Sequence, residues 1–225
     1  MDARRISLVV PVLNEAAGIV SALQALAPLR GRGHEVIVVD GGSEDASAEL
    51  ARPLADRVLA APRGRALQMN AGARAASGGL LVFLHADVRL PEGADRMVRD
   101  ALGERGWGRF DVALDSPRAL LAVVGATMNL RSRLTGIATG DQALFVRRDL
   151  FESAGGYAEI PLMEDVELSA RLRRFGRPAC LRARVRVSAR RWEARGALRT
   201  IVLMWRLRLA YFLGADPARL AERYR

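Results

Sequence analysis

Polar side chains cluster directly after three short apolar segments that have the composition of buried strands. Asn14 and Glu15 follow the first segment, Asp40-Gly41-Gly42 follows the second, and His85-Ala86-Asp87 follows a later one. A single cluster of this kind is most simply a turn, because Asp, Asn and Gly favour turns. Three clusters at the carboxyl ends of parallel strands predict one ligand crevice, since ligands of open α/β sheets bind at that edge. Within it, Asp40 can accept hydrogen bonds from a base, and Asp87 can hold a hard divalent cation.

Two further acidic residues, Glu164 and Asp165, open a predicted helix after Pro161. Carboxylates at that position stabilise a helix through the positive end of its dipole, by about 0.3 to 1 kcal/mol. The alternative is catalysis, in which a carboxylate takes a proton from an attacking hydroxyl and raises the rate by about 10² to 10⁴. The sequence alone leaves both interpretations open.

Arginines form a third group of candidates. Arg182, Arg184 and Arg186 alternate with small or apolar residues, which predicts an edge strand with one solvated face. Arg190-Arg191-Trp192 follows this segment. Adjacent guanidinium groups can bind a diphosphate, and an indole can stack on a flat surface, so these three residues are candidates for ligand binding.

The elements that must position these residues alternate between strand and helix patterns, which predicts an α/β fold with a mostly parallel central sheet flanked by helices. The predicted strands are 6–10, 36–39, 57–60, 80–84, 108–114, 144–146 and 179–188. The predicted helices are 14–29, one that Ser43 caps, 67–76, 91–102, 119–134, 166–175, 193–212 and 217–224. We expect one domain, residues 1–192, with a basic C-terminal helical extension, 193–225, packed on it.

Composition argues against a disordered, fibrous or membrane-spanning protein. The 225 residues are 50% apolar and 27% charged, which is a globular balance, and the single cysteine, Cys180, excludes an intramolecular disulfide. All 35 basic residues are arginine. Residues 171–225 carry a net charge of +13, whereas residues 1–170 carry −3, which gives +10 for the chain. Because the sequence has neither a secretory leader pattern nor an apolar run of about 18 residues, we expect a cytoplasmic protein, with peripheral contact at the inner membrane face left open.

Together these residues resemble glycosyltransferase family 2, the inverting nucleotide-sugar transferases with the GT-A fold. The resemblance covers nearly the whole chain. It is carried by Val10-Pro11-Val12-Leu13-Asn14-Glu15, Val39-Asp40-Gly41-Gly42-Ser43-Glu44-Asp45, the Gly64 to Gly78 segment with Asn70 and Gly72, His85-Ala86-Asp87, and Glu164-Asp165. A narrower resemblance, to a small bacterial subgroup labelled arsenosugar-biosynthesis transferases, is carried by Leu84-His85-Ala86-Asp87, Gly140-Asp141-Gln142-Ala143 and Arg190-Arg191-Trp192-Glu193.

The family resemblance implies a role for each matching residue. It implies that Asp165, with Glu164 beside it, is the general base, and that Asp87 binds Mn²⁺ or Mg²⁺ on the diphosphate. His85 stands where the family usually has the first aspartate of Asp-x-Asp, and imidazole suits Mn²⁺ better than Mg²⁺. The residues implied in donor binding are Pro11, Asn14, Glu15, Asp40, Gly41, Gly42, Arg65, His85, Arg190, Arg191 and Trp192. The last three resemble a Gln-x-x-Arg-Trp element, with Ser188 in place of glutamine.

The activity that the resemblance implies is a single in-line displacement with inversion. The partners would be a nucleotide-sugar donor, with uridine as the family's usual base, and an acceptor with a hydroxyl nucleophile. The sequence identifies neither the sugar nor the acceptor, and it carries no nucleic-acid recognition motif to accompany its charge.

Other functions fit less well. The segment 11–18 contains one glycine, so the dinucleotide-binding fingerprint is missing, and a chain without lysine has no P-loop. The serious alternative is a non-catalytic protein whose arginine-rich C-terminal region binds an anionic membrane or polymer. The segment 197–212 is amphipathic and contains Trp205, Tyr211 and Phe212, although a helix packed on the core explains it more simply.

Overall fold

The computed structural model describes residues 2–190, 192 and 196–224, and within them eight strands form one mixed sheet. The strands are β1 (Asp2–Val12), β2 (Glu35–Asp40), β3 (Arg57–Ala60), β4 (Gly78–Phe83), β5 (Val88–Arg89), β6 (Trp107–Asp115), β7 (Phe145–Arg147) and β8 (Ala179–Ser188). Their order across the sheet is β3-β2-β1-β4-β7-β6-β8-β5. Strands β1 to β4 are mutually parallel, β7 runs antiparallel between β4 and β6, and β6 pairs with β8 in parallel.

Helices cover both faces of this sheet. They are α1 (Ala16–Gln24), α2 (Ala27–Gly31), α3 (Ser47–Ala51), α4 (Arg65–Ala75), α5 (Ala94–Glu104), α6 (Ala119–Thr135), α7 (Arg148–Ser153), α8 (Glu164–Leu172), α9 (Ala197–Phe212) and α10 (Pro217–Tyr224). Along β1, Leu8 and Val10 pack in one buried cluster with Ile19 of α1, while Val9 packs in the other with Met69 of α4. A stretch of strand that is buried on both faces needs no alternation, which explains the continuous apolar run 8–12 in the second half of β1.

Helix α4 lies very close to β1 and β2 and so fixes the crevice at their ends. A Cβ on Gly72 would lie 2.3 Å from Val9 Cγ1 and 3.0 Å from Val39 Cγ2, so only glycine allows this approach. One turn earlier, Gln68 Nε2 donates to the backbone oxygens of Val12 and Val39, both at 2.8 Å. The first turn of α4 is therefore tied to the carboxyl ends of both strands.

The C-terminal helices pack against the start of α8. Leu207 of α9 and Leu220 of α10 are buried in a cluster with Ile137, Met163 and Val166. In the described part of the chain, none of the helices has both the length and the apolar character that a membrane crossing requires. The C-terminal segment thus contributes to the surroundings of the acidic pair at the start of α8.

The structure confirms the predicted fold class and changes several details. The predicted helix 14–29 is two helices, α1 and α2, and Ser43 caps no helix, because its hydroxyl donates to Asp40 and α3 begins at Ser47. Strand β8 is an edge strand along most of its length, since β5 pairs only with Arg186 and Val187. Strand β5 and helix α7 were not predicted.

Candidate active site

Hydrogen bonds from backbone N–H groups to side-chain oxygens fix the loops after β1 and β2. Asn14, with a positive φ of 54°, accepts a hydrogen bond at Oδ1 from Glu44 N, at 2.9 Å. Asp40 accepts hydrogen bonds at Oδ2 from the backbone N–H groups of Gly42 and Ser43, at 3.1 and 3.0 Å. Both side chains therefore shape the rim of the crevice, whatever further contact they make with a ligand.

A cavity of about 310 Å³ lies at the carboxyl ends of β1 and β4. Four of the predicted donor-binding residues line it together with the predicted metal ligand; they are Pro11, Glu15, Arg65 and His85, with Asp87. Arg63, Gln68 and Asp141 line it as well. The volume falls in the range of small-molecule sites, and the lining combines basic with acidic side chains.

The remaining predicted residues lie elsewhere. Asn14, Asp40, Gly41 and Gly42 form the rim loops rather than the cavity wall, although Asp40 pairs in the sheet with Val12, which does line the cavity. Arg190 is exposed and bonded to Ser188, and Trp192 lines a second cavity described below. Arg191 lies outside the described residues.

His85 is held between Gly140 and Asp141. Its Nδ1 lies 3.6 Å from Asp141 Oδ1, and a Cβ on Gly140 would lie 2.3 Å from His85 Cε1. The imidazole therefore needs glycine at position 140. Asp141 was singled out in the sequence only as part of the narrower subgroup resemblance.

The side chains of Asp87, Asp141 and His85 suit a metal ion that takes most of its ligands from a bound substrate. Asp87 and Asp141 supply carboxylates and His85 supplies an imidazole. The residues that the structure describes contain no group of three or more such side chains arranged to hold a metal ion. Mg²⁺ is commonly bound by one or two carboxylates plus substrate phosphates, so a small protein contribution fits a metal that is bound together with a diphosphate.

The acidic pair opens α8 immediately beside this cavity. Asp165 accepts a hydrogen bond at Oδ2 from Gly140 N and one at Oδ1 from Val166 N, both at 2.7 Å. Glu164 is only 5% exposed. Its burial, and then the charge of Asp165, raise the pKa of Glu164 above its ordinary value, and Arg65 partly offsets this. Since Arg65 lines the cavity, the carboxyl groups of the pair lie within electrostatic reach of it.

A second, larger cavity of about 610 Å³ runs as a groove between α6 and α9. Its walls are mainly apolar and include Val123, Leu134 and Met204. Asp87, Asp141 and Tyr224 line both cavities. The polar cavity and the apolar groove therefore meet at two carboxylates, next to the acidic pair of α8.

Comparison with known proteins finds similarity to glycosyltransferases. Residues 7–112 match Glycosyl transferase family 2. The chain is 31% identical over 166 residues to the PGL/p-HBAD biosynthesis glycosyltransferase of Mycobacterium bovis, which covers 70% of this chain and 64% of that protein. It is 34% identical over 167 residues to the undecaprenyl-phosphate 4-deoxy-4-formamido-L-arabinose transferase of Pseudomonas paraeruginosa, covering 63% of this chain and 46% of that one. The chain thus spans less than two thirds of the length of either relative.

Solved structures share the fold. The S. aureus TarS structure with residues 1-349 in complex with UDP superposes with a TM-score of 0.65 at 18% identity, covering 82% of this chain and 60% of that one. Glucosyl-3-phosphoglycerate synthase from Mycobacterium tuberculosis, in complex with Mg²⁺ and UDP, superposes with a TM-score of 0.59 at 21% identity, covering 82% and 70%. The fold is that of the GT-A glycosyltransferases.

Proposed function

We propose that this protein is an inverting glycosyltransferase, because residues 7–112 match Glycosyl transferase family 2 and the fold resembles that of TarS. It transfers a sugar from a nucleoside-diphosphate donor, with UDP as the carrier, to a hydroxyl group of an acceptor. The observation that carries this proposal is the meeting of two cavities at Asp87 and Asp141, beside the acidic pair of α8. A transferase needs such a junction, because donor and acceptor must reach the same carbon atom from different sides.

The polar cavity takes the donor. Arg63 and Arg65 bring two guanidinium groups to its wall, and guanidinium suits the geometry of phosphate oxygens. Pro11 and Glu15 lie at the end of β1, where the nucleoside of such a donor would sit, with Asp40 at the rim. The structures of TarS and glucosyl-3-phosphoglycerate synthase in complex with UDP support UDP as the nucleotide.

A divalent metal accompanies the diphosphate. Asp87 would hold it, with His85 or Asp141 as a second protein ligand. When bound, such an ion stabilises the negative charge that gathers on the departing diphosphate. The Mg²⁺ in the glucosyl-3-phosphoglycerate synthase structure supports this proposal.

Asp165 acts as the general base. The hydroxyl oxygen of the acceptor forms a bond to the anomeric carbon, and its proton passes to Asp165. The bond from that carbon to the diphosphate oxygen breaks, its electron pair leaves with UDP, and the configuration inverts. Burial raises the pKa of the neighbouring Glu164 carboxyl, whereas Asp165 is held by backbone hydrogen bonds from Gly140 and Val166.

Three narrower hypotheses remain part of the proposal. Residues 1–192 form the GT-A catalytic domain, and 193–225 form a helical extension packed on it. The protein works in the cytoplasm, and its C-terminal region is the candidate for peripheral contact with the inner membrane face. The acceptor is a lipid, a small metabolite or, as the narrower resemblance to the arsenosugar subgroup would have it, an arsenic-containing ribose, and the apolar groove favours the first of these.

Nucleotide binding tests the proposal directly. We expect UDP with Mn²⁺ to raise the melting temperature more than UDP alone, and more than ADP, CDP or GDP with Mn²⁺. A ligand at 100 times its dissociation constant adds about 2.7 kcal/mol of stability. Asp87→Asn should lose the part of the shift that depends on Mn²⁺. Asp115→Asn, an exposed carboxylate 4.0 Å from Arg186, is the matched control and should keep it. The absence of a shift with every nucleotide and metal would contradict the proposal.

A further inference from the structure

The apolar groove contains two arginines that the proposed chemistry has not used. Arg131 of α6 and Arg208 of α9 both line it. Nε and Nη2 of Arg131 and Nε of Arg208 are buried, and they have no hydrogen-bond partner among the described residues. Buried N–H groups of a guanidinium ordinarily find acceptors, since leaving them unpaired costs free energy. A pair of unsatisfied guanidinium groups in a cavity therefore indicates a missing anionic ligand.

The charges of Arg131 and Arg208 also favour a bound anion. Burial, and then the positive charge of Arg208, lower the pKa of Arg131 to about 10. Burial also lowers the pKa of Arg208, against the opposing effect of Asp165 and Asp141. The two cations thus repel each other in a poorly solvated place, and Asp165 compensates them only from a distance. An anion between them would relieve both the repulsion and the unmet hydrogen bonds.

The groove around the pair is built for a hydrocarbon chain. Leu134 and Val123 of α6 and Trp205 of α9 are 70%, 58% and 72% exposed and line its sides. An apolar groove whose lining includes two partly buried cations has the chemistry to bind a ligand with an apolar chain and a phosphate group. Neither inorganic phosphate nor an uncharged lipid would use both features.

Resting on the proposed transferase function, we infer that the groove binds the acceptor as a phosphate-bearing lipid. Its phosphate contacts Arg131 and Arg208, and its apolar chain lies between α6 and α9. The hydroxyl that receives the sugar lies on the headgroup side, toward Asp141 and Asp165. The pair does not line the polar cavity, where Arg63 and Arg65 are available for the diphosphate of the donor.

The test uses decyl phosphate as the probe. Decyl maltoside, which has the same apolar chain but no charge, and inorganic phosphate, which has the charge but no chain, are the two controls. Binding is measured on the full chain by calorimetry, below the micelle concentration of each amphiphile. The fluorescence of Trp192 and Trp205, which line the groove, gives a second signal. We expect decyl phosphate to bind at least tenfold more tightly than either of the other probes. Equal binding of decyl phosphate and decyl maltoside would overturn the inference, because the arginines would then contribute nothing.

Substitutions locate the phosphate. Arg131→Gln and Arg208→Gln should each weaken decyl phosphate binding about tenfold or more, as expected for loss of charge-assisted hydrogen bonds. Arg208→Lys, which keeps the charge, should restore part of the affinity. Arg206→Gln removes an exposed arginine two residues away on α9 and should change the affinity by less than twofold. Unchanged affinity in both glutamine variants would overturn the inference.

Stability and UDP affinity separate this inference from loss of folding and from failure of the proposed function. Burial opposes the charge of both guanidinium groups more strongly than Asp165 and Asp141 support it, and their buried N–H groups have no hydrogen-bond partner in the portion of the chain that the structure describes. Neutralising Arg131 or Arg208 should therefore leave the melting temperature unchanged or raise it. Both variants should keep the UDP affinity of the wild type within twofold. A parallel loss of UDP binding would assign the pair to the donor and overturn the inference. A wild-type protein that binds decyl phosphate as described but no nucleotide would refute the transferase function and leave the lipid site standing.

Discussion

Glu164 and Asp165 are adjacent carboxyl groups that meet different surroundings. Glu164 is buried next to Asp165, whereas Asp165 accepts backbone hydrogen bonds from Gly140 and Val166. Backbone donors stabilise an ionised carboxylate, and burial favours a neutral one. Burial thus raises the pKa of Glu164, and Asp165 is the member of the pair that is hydrogen-bonded to the loop that carries Asp141.

Glu164→Gln should therefore become more stabilising as the pH rises. The folded protein holds the Glu164 proton more tightly than the unfolded chain does, because the pKa of Glu164 is raised in the fold. The stability that this residue contributes is fully present below its ordinary pKa, and it is lost as the pH rises through the raised value. Glutamine imitates the protonated form and cannot lose it. We expect variant and wild type to melt together near pH 4, and the variant to melt a few degrees higher near pH 8, at about 2 to 4 °C per kcal/mol.

Glu167→Gln is the control on the same helix. Glu167 forms an ion pair with Arg171 and should gain nothing on neutralisation at any pH. A Glu164→Gln variant whose melting temperature follows that of the wild type across the whole range would show that the Glu164 carboxyl is not destabilised by its site.

The positions of acidic residues after strand ends were easier to predict from the sequence than their arrangement in the fold. The polar clusters after the strands pointed to Glu15 and Asp87, which both line the polar cavity, because strand ends are recognisable from apolar composition. Pro11 came only from the family resemblance. Arg131 and Arg208 were not predicted, since each is one of 35 arginines and the two come together only where α6 and α9 line the same groove. No local pattern marks an arginine that will be buried without a partner.

At the scale of elements, α4 is the part of the fold most directly tied to the donor cavity. Gly72 lets the helix approach β1 and β2, and its first turns carry Arg65 and Gln68 to the cavity wall. Gly72→Ala would place a methyl group 2.3 Å from Val9. Valine has little freedom to move, so the helix must shift away from the sheet.

We expect Gly72→Ala to lower the unfolding free energy by about 1 to 3 kcal/mol, a typical cost of overpacking. Urea unfolding measures this cost. The control is Gly103→Ala in α5, where a new Cβ would meet nothing within 4 Å. That variant should be stabilised by up to about 1 kcal/mol, since alanine favours helix over glycine. If both substitutions raised the unfolding free energy by the same amount, Gly72 would not be needed for the close approach of α4 to the sheet.

Elements with strong local patterns were predicted well, and those set by tertiary contacts were not. The strands 57–60 and 179–188 and the helix 217–224 have the predicted bounds. Strand β5 is two residues long and exists only because it pairs with the end of β8, and α7 directly follows β7 without a turn. The antiparallel position of β7 also depends on long-range pairing, which the alternation of patterns does not encode.

At the scale of the whole molecule, the charge and the apolar surface lie toward the same end of the chain. Residues 171–225 carry +13, and in α9 Trp205, Leu209 and Phe212 are 72%, 61% and 69% exposed. A basic surface with exposed aromatic side chains is the composition of a helix that binds an anionic interface. If the acceptor is a lipid, this surface would bring the groove to the bilayer that holds it, so membrane contact and catalysis would serve one activity.

The release of UDP from UDP-sugars by the wild type and by Asp165→Asn tests the central claim most directly. Asparagine keeps the size of the side chain and one acceptor oxygen, so UDP affinity should stay within twofold of the wild type. With Mn²⁺ and a panel of UDP-sugars, we expect the wild type to release UDP from at least one donor, slowly with water as acceptor, and the variant to release it about 10² to 10⁴ times more slowly. Asp149→Asn, on the exposed ion pair with Arg147, should match the wild type. A wild type that releases no UDP from any donor, or an Asp165→Asn variant as fast as the wild type, would contradict the account.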